Sequence, residues 1–146
     1  MRIGVPRETK DNENRVGVTP AGASTLVQAG NQVVVERGAG TGCDFANIDY
    51  EHAGAQVVDV TDAWDSELVI KVKEPLASEY GYLKGQTVFT YFHLAGVDVA
   101  LTEALLDSRT TAVAYETIED EDGRLPLLAP MSAVAGSMAP IVGAYY

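Results

Sequence analysis

The sequence predicts an α/β domain with a mostly parallel sheet and helices on both faces. Six short apolar runs, rich in β-branched and aromatic residues, alternate with segments that carry helical spacing or helix caps. Strands that alternate with helices favour a parallel sheet that is covered on both sides. The predicted strands are Arg2 to Pro6, Gln32 to Glu36, Gln56 to Val60, Leu68 to Lys73, Thr87 to Phe92 and Thr110 to Glu116.

The helix predicted between the first two strands has signals at both ends. Thr19 can cap its N-terminus, and Pro20 suits its first position because proline lacks the N–H that would stay unbonded there. Gly30 is placed to end the helix. These signals complete a β-α-β unit that the turn Gly38-Ala39-Gly40 closes.

The next connections are shorter. The sequence predicts a helix over Ile48 to Ala53, a turn near Asp62 to Asp65 and a helix over Val97 to Asp107. The apolar face of the last of these carries Val97, Leu101, Ala104 and Leu105.

The C-terminal part departs from this alternation. Glu119 to Gly123 is an acidic surface turn that begins a linker, and Met131 to Tyr146 is a helix of mostly small residues. We expect Ser132 to cap this helix and Pro140 to kink it or end its first half.

Length and composition exclude several classes of protein. At 146 residues a single domain is expected, and a net charge of -11 leaves no basic surface for a nucleic acid or an anionic membrane. Cys43 is the only cysteine, which excludes an internal disulfide and favours a reducing cytoplasm. No apolar run approaches the roughly 18 residues that span a bilayer. His52 has no second histidine nearby, so no metal site is predicted.

The glycine-rich stretch Gly38 to Cys43 follows a strand but does not match a dinucleotide fingerprint. Cys43 occupies the place of the third small residue, and no helical pattern follows it. We therefore interpret the stretch as a structural turn.

Three cationic or titratable residues are predicted at the carboxyl edge of the sheet, where ligands bind in such folds. Arg15 follows the first strand and can hold a carboxylate with two parallel hydrogen bonds. Lys73 ends a strand and offers a point charge, and His93 can transfer a proton near neutral pH. Together they suit a small α-keto or α-amino acid, although each alone also fits an ordinary structural role.

Three further residues could border the same site. Tyr115 and Glu116 follow another predicted strand, and Ser132 lies at the start of the last helix. Strand-end acids and helix caps are common, so a structural role is the favoured interpretation of all three.

Several motifs resemble the N-terminal part of the alanine dehydrogenase and pyridine nucleotide transhydrogenase family. They are M-R-I-G-V-P-R-E at the start, N-E-N-R-V-G-V-T-P from residue 12, K-V-K-E-P from 71, F-H-L-A from 92, A-Y-E-T from 114 and L-P-L-L-A-P-M-S from 125. Lys73 with F-H-L-A and P-L-L-A-P-M-S favours alanine dehydrogenase. Ala133 and Pro140 depart from the family pattern.

The resemblance implies an NAD-dependent enzyme that converts L-alanine reversibly to pyruvate and ammonium. It implies that Arg15 and Lys73 bind the substrate, that His93 is the proton donor and acceptor, and that Ser132 and Met131 contact NAD. It also implies a homo-oligomer, which is a hexamer in the family.

The same resemblance gives an expected domain organisation. Residues 1–125 would form a Rossmann-like substrate domain without a dinucleotide fingerprint, and residues 126–146 would begin an interdomain helix. The NAD-binding domain would lie outside this chain, which is expected to be inactive alone. Two alternatives are a fragment of a transhydrogenase-like subunit and a truncated, non-catalytic oligomerisation or interaction module.

Overall fold

The computed structural model describes residues 1–96 and 98–146 and contains a single parallel sheet of six strands. The strand order is β3-β2-β1-β4-β5-β6, and every pair of neighbours is parallel. This confirms the predicted fold class. The strands are β1 (Arg2–Val5), β2 (Gln32–Glu36), β3 (Gln56–Val58), β4 (Leu68–Lys73), β5 (Thr87–Tyr91) and β6 (Thr111–Ala114).

Five α-helices lie among the described residues. They are α1 (Pro20–Gln28), α2 (Asn47–His52), α3 (Val60–Trp64), α4 (Val99–Ser108) and α5 (Ala129–Tyr145). None of them is both long and apolar enough to cross a membrane. Val97, the predicted start of α4, lies outside the described residues.

Two hydrophobic clusters cover opposite faces of the sheet. Val33 and Val35 of β2 pack with residues of α1 and α2, whereas Val69 of β4 packs with α3 and α4. Residues in register on neighbouring parallel strands share a face, so Val69 lies on the same face as its partner Gly4. Val5, the next residue along β1, belongs to the other cluster and lies on the opposite face. Helices therefore cover both faces, as predicted.

The predicted signals around α1 are confirmed. The Thr19 hydroxyl accepts a hydrogen bond from the backbone N–H of Gly22 at 3.2 Å, and Pro20 is the first helical residue. Gly30 follows the helix with a φ of 86°, in the left-handed region that glycine adopts without strain.

The predicted turn near Asp62 to Asp65 is wrong, because this segment belongs mostly to α3. The helix carries Ala63 and Trp64 into the core, where both side chains are buried. It passes so close to β1 that a side chain at Gly4 would collide with the carbonyl oxygen of Ala63. Tertiary packing thus decides the conformation of a segment whose sequence shows no helical period.

The end of the last strand is also corrected. β6 stops at Ala114, and Tyr115–Thr117 form a 3-10 turn instead of continuing the strand. The acidic segment from residue 119 to 123 is an exposed turn, as predicted.

The helix α5 differs from its prediction in three respects. It begins at Ala129, with Pro130 in its first turn, and Ser132 therefore lies inside the helix and does not cap it. It continues through Pro140 to Tyr145. No residue of α5 is buried, so water can hydrogen bond to the carbonyl group that Pro140 leaves without a helical partner.

Candidate functional site

Two neighbouring clefts open at the carboxyl edge of the sheet. Lys73, His93 and Glu116 line a cleft with a volume of about 490 Å³. Arg15 and Glu13 line the adjacent, smaller cleft of about 200 Å³. The structure thus brings Lys73 and His93 together and places Arg15 beside them, at the edge where the sequence predicted a ligand site.

Lys73 lies at an irregularity in the sheet. The register between β4 and β5 shifts between Ile70 and Lys73, so that Lys73 pairs with Tyr91. The Glu8 carboxylate accepts hydrogen bonds from the backbone N–H groups of Val72 at 2.6 Å and Lys73 at 3.3 Å. These bonds satisfy N–H groups at the strand end and fix the main chain that presents Lys73.

Tyr115 supports the same strand end from the 3-10 turn after β6. Its phenol donates to the carbonyl oxygens of Lys71 and Val72 at 3.2 and 3.3 Å. Its ring meets that of Tyr91 edge to face, with centroids 4.4 Å apart, and burial raises the pKa of both phenols. Both tyrosines therefore remain hydrogen-bond donors at neutral pH.

A buried group of charges lies beneath Lys73. The Lys71 side chain is 1% exposed, and its ammonium lies 2.8 Å from Glu79 and 3.5 Å from Glu8. Burial raises the pKa of Glu8, while the Lys71 ammonium acts in the opposite direction. The sequence analysis missed this group, although a lysine inside an otherwise apolar buried strand was a signal for it.

Arg15 is held by a neighbouring carboxylate. Its Nε and one terminal nitrogen donate to the two oxygens of Glu13 at 2.8 and 2.6 Å, and this contact lowers the pKa of Glu13. The other terminal nitrogen lies 2.8 Å from the sulfur of Met131. One edge of the guanidinium is thus fixed, and the other faces the start of α5.

His93 is exposed and has a left-handed backbone with a φ of 45°. Glu116 accepts a hydrogen bond from its backbone N–H at 2.7 Å. A side chain at Gly96 would lie 2.9 Å from the Nε2 atom of His93, so the ring is packed against this glycine. The imidazole is accessible to solvent in the cleft and can exchange a proton with a bound molecule.

The remaining predicted site residues lie in the first turn of α5. Ser132 is exposed and Met131 is partly buried beside Arg15. Tyr91 links this segment to the cleft because its phenol donates to the carbonyl oxygen of Leu127 at 2.9 Å. An exposed hydroxyl and a thioether here are compatible with one edge of a bound NAD molecule.

The glycine-rich stretch does not offer a cradle for a dinucleotide. A side chain at Gly40 would meet Phe45 and Tyr50 within 2.8 Å, and one at Gly42 would lie 2.3 Å from the carbonyl oxygen of Asn14. The protein's own atoms therefore crowd Gly40 and Gly42, and the stretch ends in a 3-10 turn over Thr41–Cys43 instead of opening an α-helix.

Comparison with known proteins identifies the family. Residues 4–135 match the profile of the family described as "Alanine dehydrogenase/PNT, N-terminal domain". The chain belongs to this family. Its similarity to the N-terminal portion of alanine dehydrogenases extends along the whole sequence, which agrees with the motifs that suggested the resemblance.

Individual relatives support this assignment. The chain is 54% identical over 149 residues to alanine dehydrogenase of Mycobacterium tuberculosis and 52% identical over 148 residues to alanine dehydrogenase 2 of Staphylococcus aureus. Each alignment covers 100% of the chain and 40% of the relative, so the chain spans less than half of their length.

Solved structures give the same result. An L-alanine dehydrogenase matches with a TM-score of 0.89 and 53% identity, over 93% of this chain and 38% of that one. A transhydrogenase from Sinorhizobium meliloti matches with a TM-score of 0.76 and 28% identity, over 81% of this chain and 36% of that one.

Proposed function

We propose that this chain is the substrate-binding portion of an NAD-dependent alanine dehydrogenase. In this proposal residues 1–125 bind L-alanine or pyruvate, and residues 126–146 begin an interdomain helix. The observation that carries the proposal is the shared cleft of Lys73 and His93, with Arg15 beside it, in a chain whose relatives are named alanine dehydrogenase.

Arg15 and Lys73 would bind the carboxylate and the developing carbonyl oxygen of the substrate. The guanidinium is oriented by Glu13, and its remaining edge lies against the sulfur of Met131. Lys73 stands on a main chain that Glu8 fixes, so the strand end that carries its side chain is in place before a substrate binds. A charge-assisted bond from each cation to the substrate favours small α-keto and α-amino acids.

His93 would move the proton that completes the deamination. Bound NAD would supply the acceptor for the hydride that leaves the α-carbon of the substrate. After water has added to the resulting iminium and one of its protons has passed to the nitrogen, the neutral imidazole would take the proton of the new hydroxyl, and the carbonyl of pyruvate would form as ammonia leaves. In the reverse direction His93 returns this proton.

NAD would be held mainly by a domain outside this chain. The chain contributes Met131 and Ser132 at the start of α5, where the substrate cleft meets that helix. Because no dinucleotide cradle exists among the described residues, we expect the chain alone not to turn over. We also propose that the protein acts in the cytoplasm as a homo-oligomer, in keeping with its family.

The match to a transhydrogenase structure supports a second candidate, a fragment of a transhydrogenase-like subunit. In that case the domain would have no amino-acid substrate. The larger identity to alanine dehydrogenases favours the first candidate.

Saturation-transfer NMR of pyruvate and L-alanine with the chain distinguishes the two candidates. We expect transfer to pyruvate from the wild-type chain and its loss in Lys73→Ala. Lys84→Ala is the matched control, because this exposed lysine lies at the opposite edge of the sheet, before β5. Absence of transfer from a folded wild-type chain, or equal transfer in Lys73→Ala, contradicts the proposal.

A further inference from the structure

We propose that Glu116 is a positioning residue that holds His93 in the orientation needed for proton transfer. The catalytic consequence rests on the proposed function of His93, whereas the positioning itself does not. The starting observation is the hydrogen bond from the His93 backbone N–H to one Glu116 oxygen at 2.7 Å, between residues 23 positions apart.

The backbone of His93 is in a conformation that needs external support. Its φ of 45° lies in the left-handed region, which side-chain-bearing residues rarely adopt. Phe92 before it is buried, so the chain cannot relax on that side. Strained conformations persist when their surroundings impose them, and they cluster at functional sites.

Both main-chain groups of His93 are bonded. Glu116 accepts from its N–H, and the backbone N–H of Gly96 donates to its carbonyl oxygen at 2.8 Å. Gly96 also provides the space into which the imidazole packs, since a side chain there would lie within 2.9 Å of Nε2. Glu116 thus closes one end of a turn that directs the ring along the cleft.

Glu116 is itself fixed by its position after β6. It lies in the 3-10 turn Tyr115–Thr117, whose first residue is bonded to β4 and whose last donates its hydroxyl proton to the carbonyl oxygen of Ala114 at 2.9 Å. The same turn therefore contacts the strand that carries Lys73 and the segment that carries His93.

The second Glu116 oxygen is buried and makes no hydrogen bond among the described residues. A buried carboxylate oxygen without a partner is destabilising, so its presence calls for a compensating role of the other oxygen. Accepting the hydrogen bond from the His93 N–H is such a role, and an ionised acceptor makes this bond stronger than a neutral one does.

The inference is tested by NMR of the chain labelled with nitrogen-15 and carbon-13, in the wild type and in Glu116→Ala, Glu116→Gln and Glu119→Ala. Glu119 is an exposed carboxylate three residues away, so its variant has the same change in charge. The measurements are hydrogen exchange of the His93 amide, the imidazole chemical shifts and the affinity for pyruvate.

In Glu116→Ala we expect His93 amide exchange about tenfold faster and shifted imidazole signals, in line with the loss of a bond to a charged acceptor. Affinity for pyruvate should fall by about fivefold, because the ring no longer has a fixed place in the cleft. Glu116→Gln retains an oxygen acceptor and should restore most of the protection, while Glu119→Ala should match the wild type.

The inference is overturned if His93 exchange and ring signals in Glu116→Ala match those of the wild type. It is also overturned if His93 exchange is as fast in Glu116→Gln as in Glu116→Ala. Glutamine keeps an acceptor oxygen for the His93 N–H and alanine does not, so equal exchange would show that this bond is not what positions His93. If Glu116→Ala does not fold, the comparison of Glu116→Gln with the wild type decides, since the amide should shift the His93 proton signal upfield. If the His93 amide of the wild-type chain is protected from exchange but the chain does not bind pyruvate, the proposed function is contradicted and the positioning by Glu116 is not.

Discussion

Glu8 and Glu13 each hold a cationic residue of the same site, but in different surroundings. Glu8 is 2% exposed, lies against buried Lys71 and bonds to the main chain of β4. Glu13 is 7% exposed and bonds to the side chain of Arg15, which is 46% exposed. Accordingly, burial raises the pKa of Glu8, whereas the bond to Arg15 lowers that of Glu13.

This difference indicates two separate means of positioning. The main chain at Lys73 is fixed by a carboxylate that lies beneath the strand end. This carboxylate, Glu8, is buried, and Lys71 is its counter-ion. Orienting Arg15 requires only a bidentate contact near the surface, which costs the fold little. We therefore expect changes around Glu8 to alter both stability and binding, and changes at Glu13 to alter binding almost alone.

The largest expected effect comes from Lys71→Ala. This change leaves the carboxylates of Glu8 and Glu79 buried without a cation, and breaking a buried ion pair in this way costs about 3–5 kcal/mol. Urea denaturation measures the free energy of unfolding, with Lys84→Ala as the exposed control. A loss below about 1 kcal/mol would show that the buried charges are not coupled as their distances indicate.

A smaller loss is expected for Glu8→Ala. The N–H groups of Val72 and Lys73 lose their acceptor, and the free energy of unfolding should fall by about 1–3 kcal/mol, with weaker pyruvate binding. Glu8→Gln keeps an oxygen for one of these bonds and should lose less. Equal losses in the free energy of unfolding in both variants would show that the bonds to the main chain do not account for the stabilisation by Glu8.

The pH dependence of stability should have opposite signs at the two carboxylates. Glu8 has a folded-state pKa above its ordinary value, so its contribution is present below that value and is lost as pH rises through the folded-state pKa. Glu13 has a lowered pKa, so its contribution is present above the ordinary value and is lost as pH falls through the folded-state pKa.

Denaturation between about pH 3 and 7 tests these signs. Relative to the wild type, Glu8→Gln should gain stability as pH rises and Glu13→Gln should lose it. If the stability of both variants relative to the wild type changed in the same direction with pH, the opposite pKa shifts of Glu8 and Glu13 would be contradicted.

The smallest effect on stability is expected for Glu13→Ala, within about 1 kcal/mol of the wild type. Pyruvate affinity should nevertheless fall by about threefold to tenfold, because Arg15 must then be ordered on binding. Asp11→Ala, an exposed change in the same loop, is the control. A large loss of stability with unchanged affinity would reverse the roles assigned to the two carboxylates.

The sequence was sufficient for the sheet and for placing the three candidate site residues at one edge of it. All six strands were predicted, because each leaves a short run rich in apolar, β-branched or aromatic residues. Arg15, Lys73 and His93 could be placed at one edge because Lys73 ends a strand of a parallel sheet and the other two follow one. Their roles in binding and proton transfer stay predictions.

The supporting residues could not be predicted in the same way. Glu8 and Val72 are 64 positions apart, and nothing in the local pattern near either residue indicates their bond. The helix α3 was missed because burial of Trp64, rather than periodicity, stabilises it. Ser132 was expected to cap α5, but Pro130 is favourable within the first turn and the helix starts earlier.

The central claim is that a small keto acid binds at the carboxyl edge of this sheet, and mapping pyruvate onto the backbone amide signals of the chain tests it most directly. We expect the largest shifts at Arg15, Lys73 and His93, and none at Gly85 and Gln86 on the opposite edge. Shifts concentrated at the opposite edge, or the absence of any shift in a folded chain, would contradict the claim.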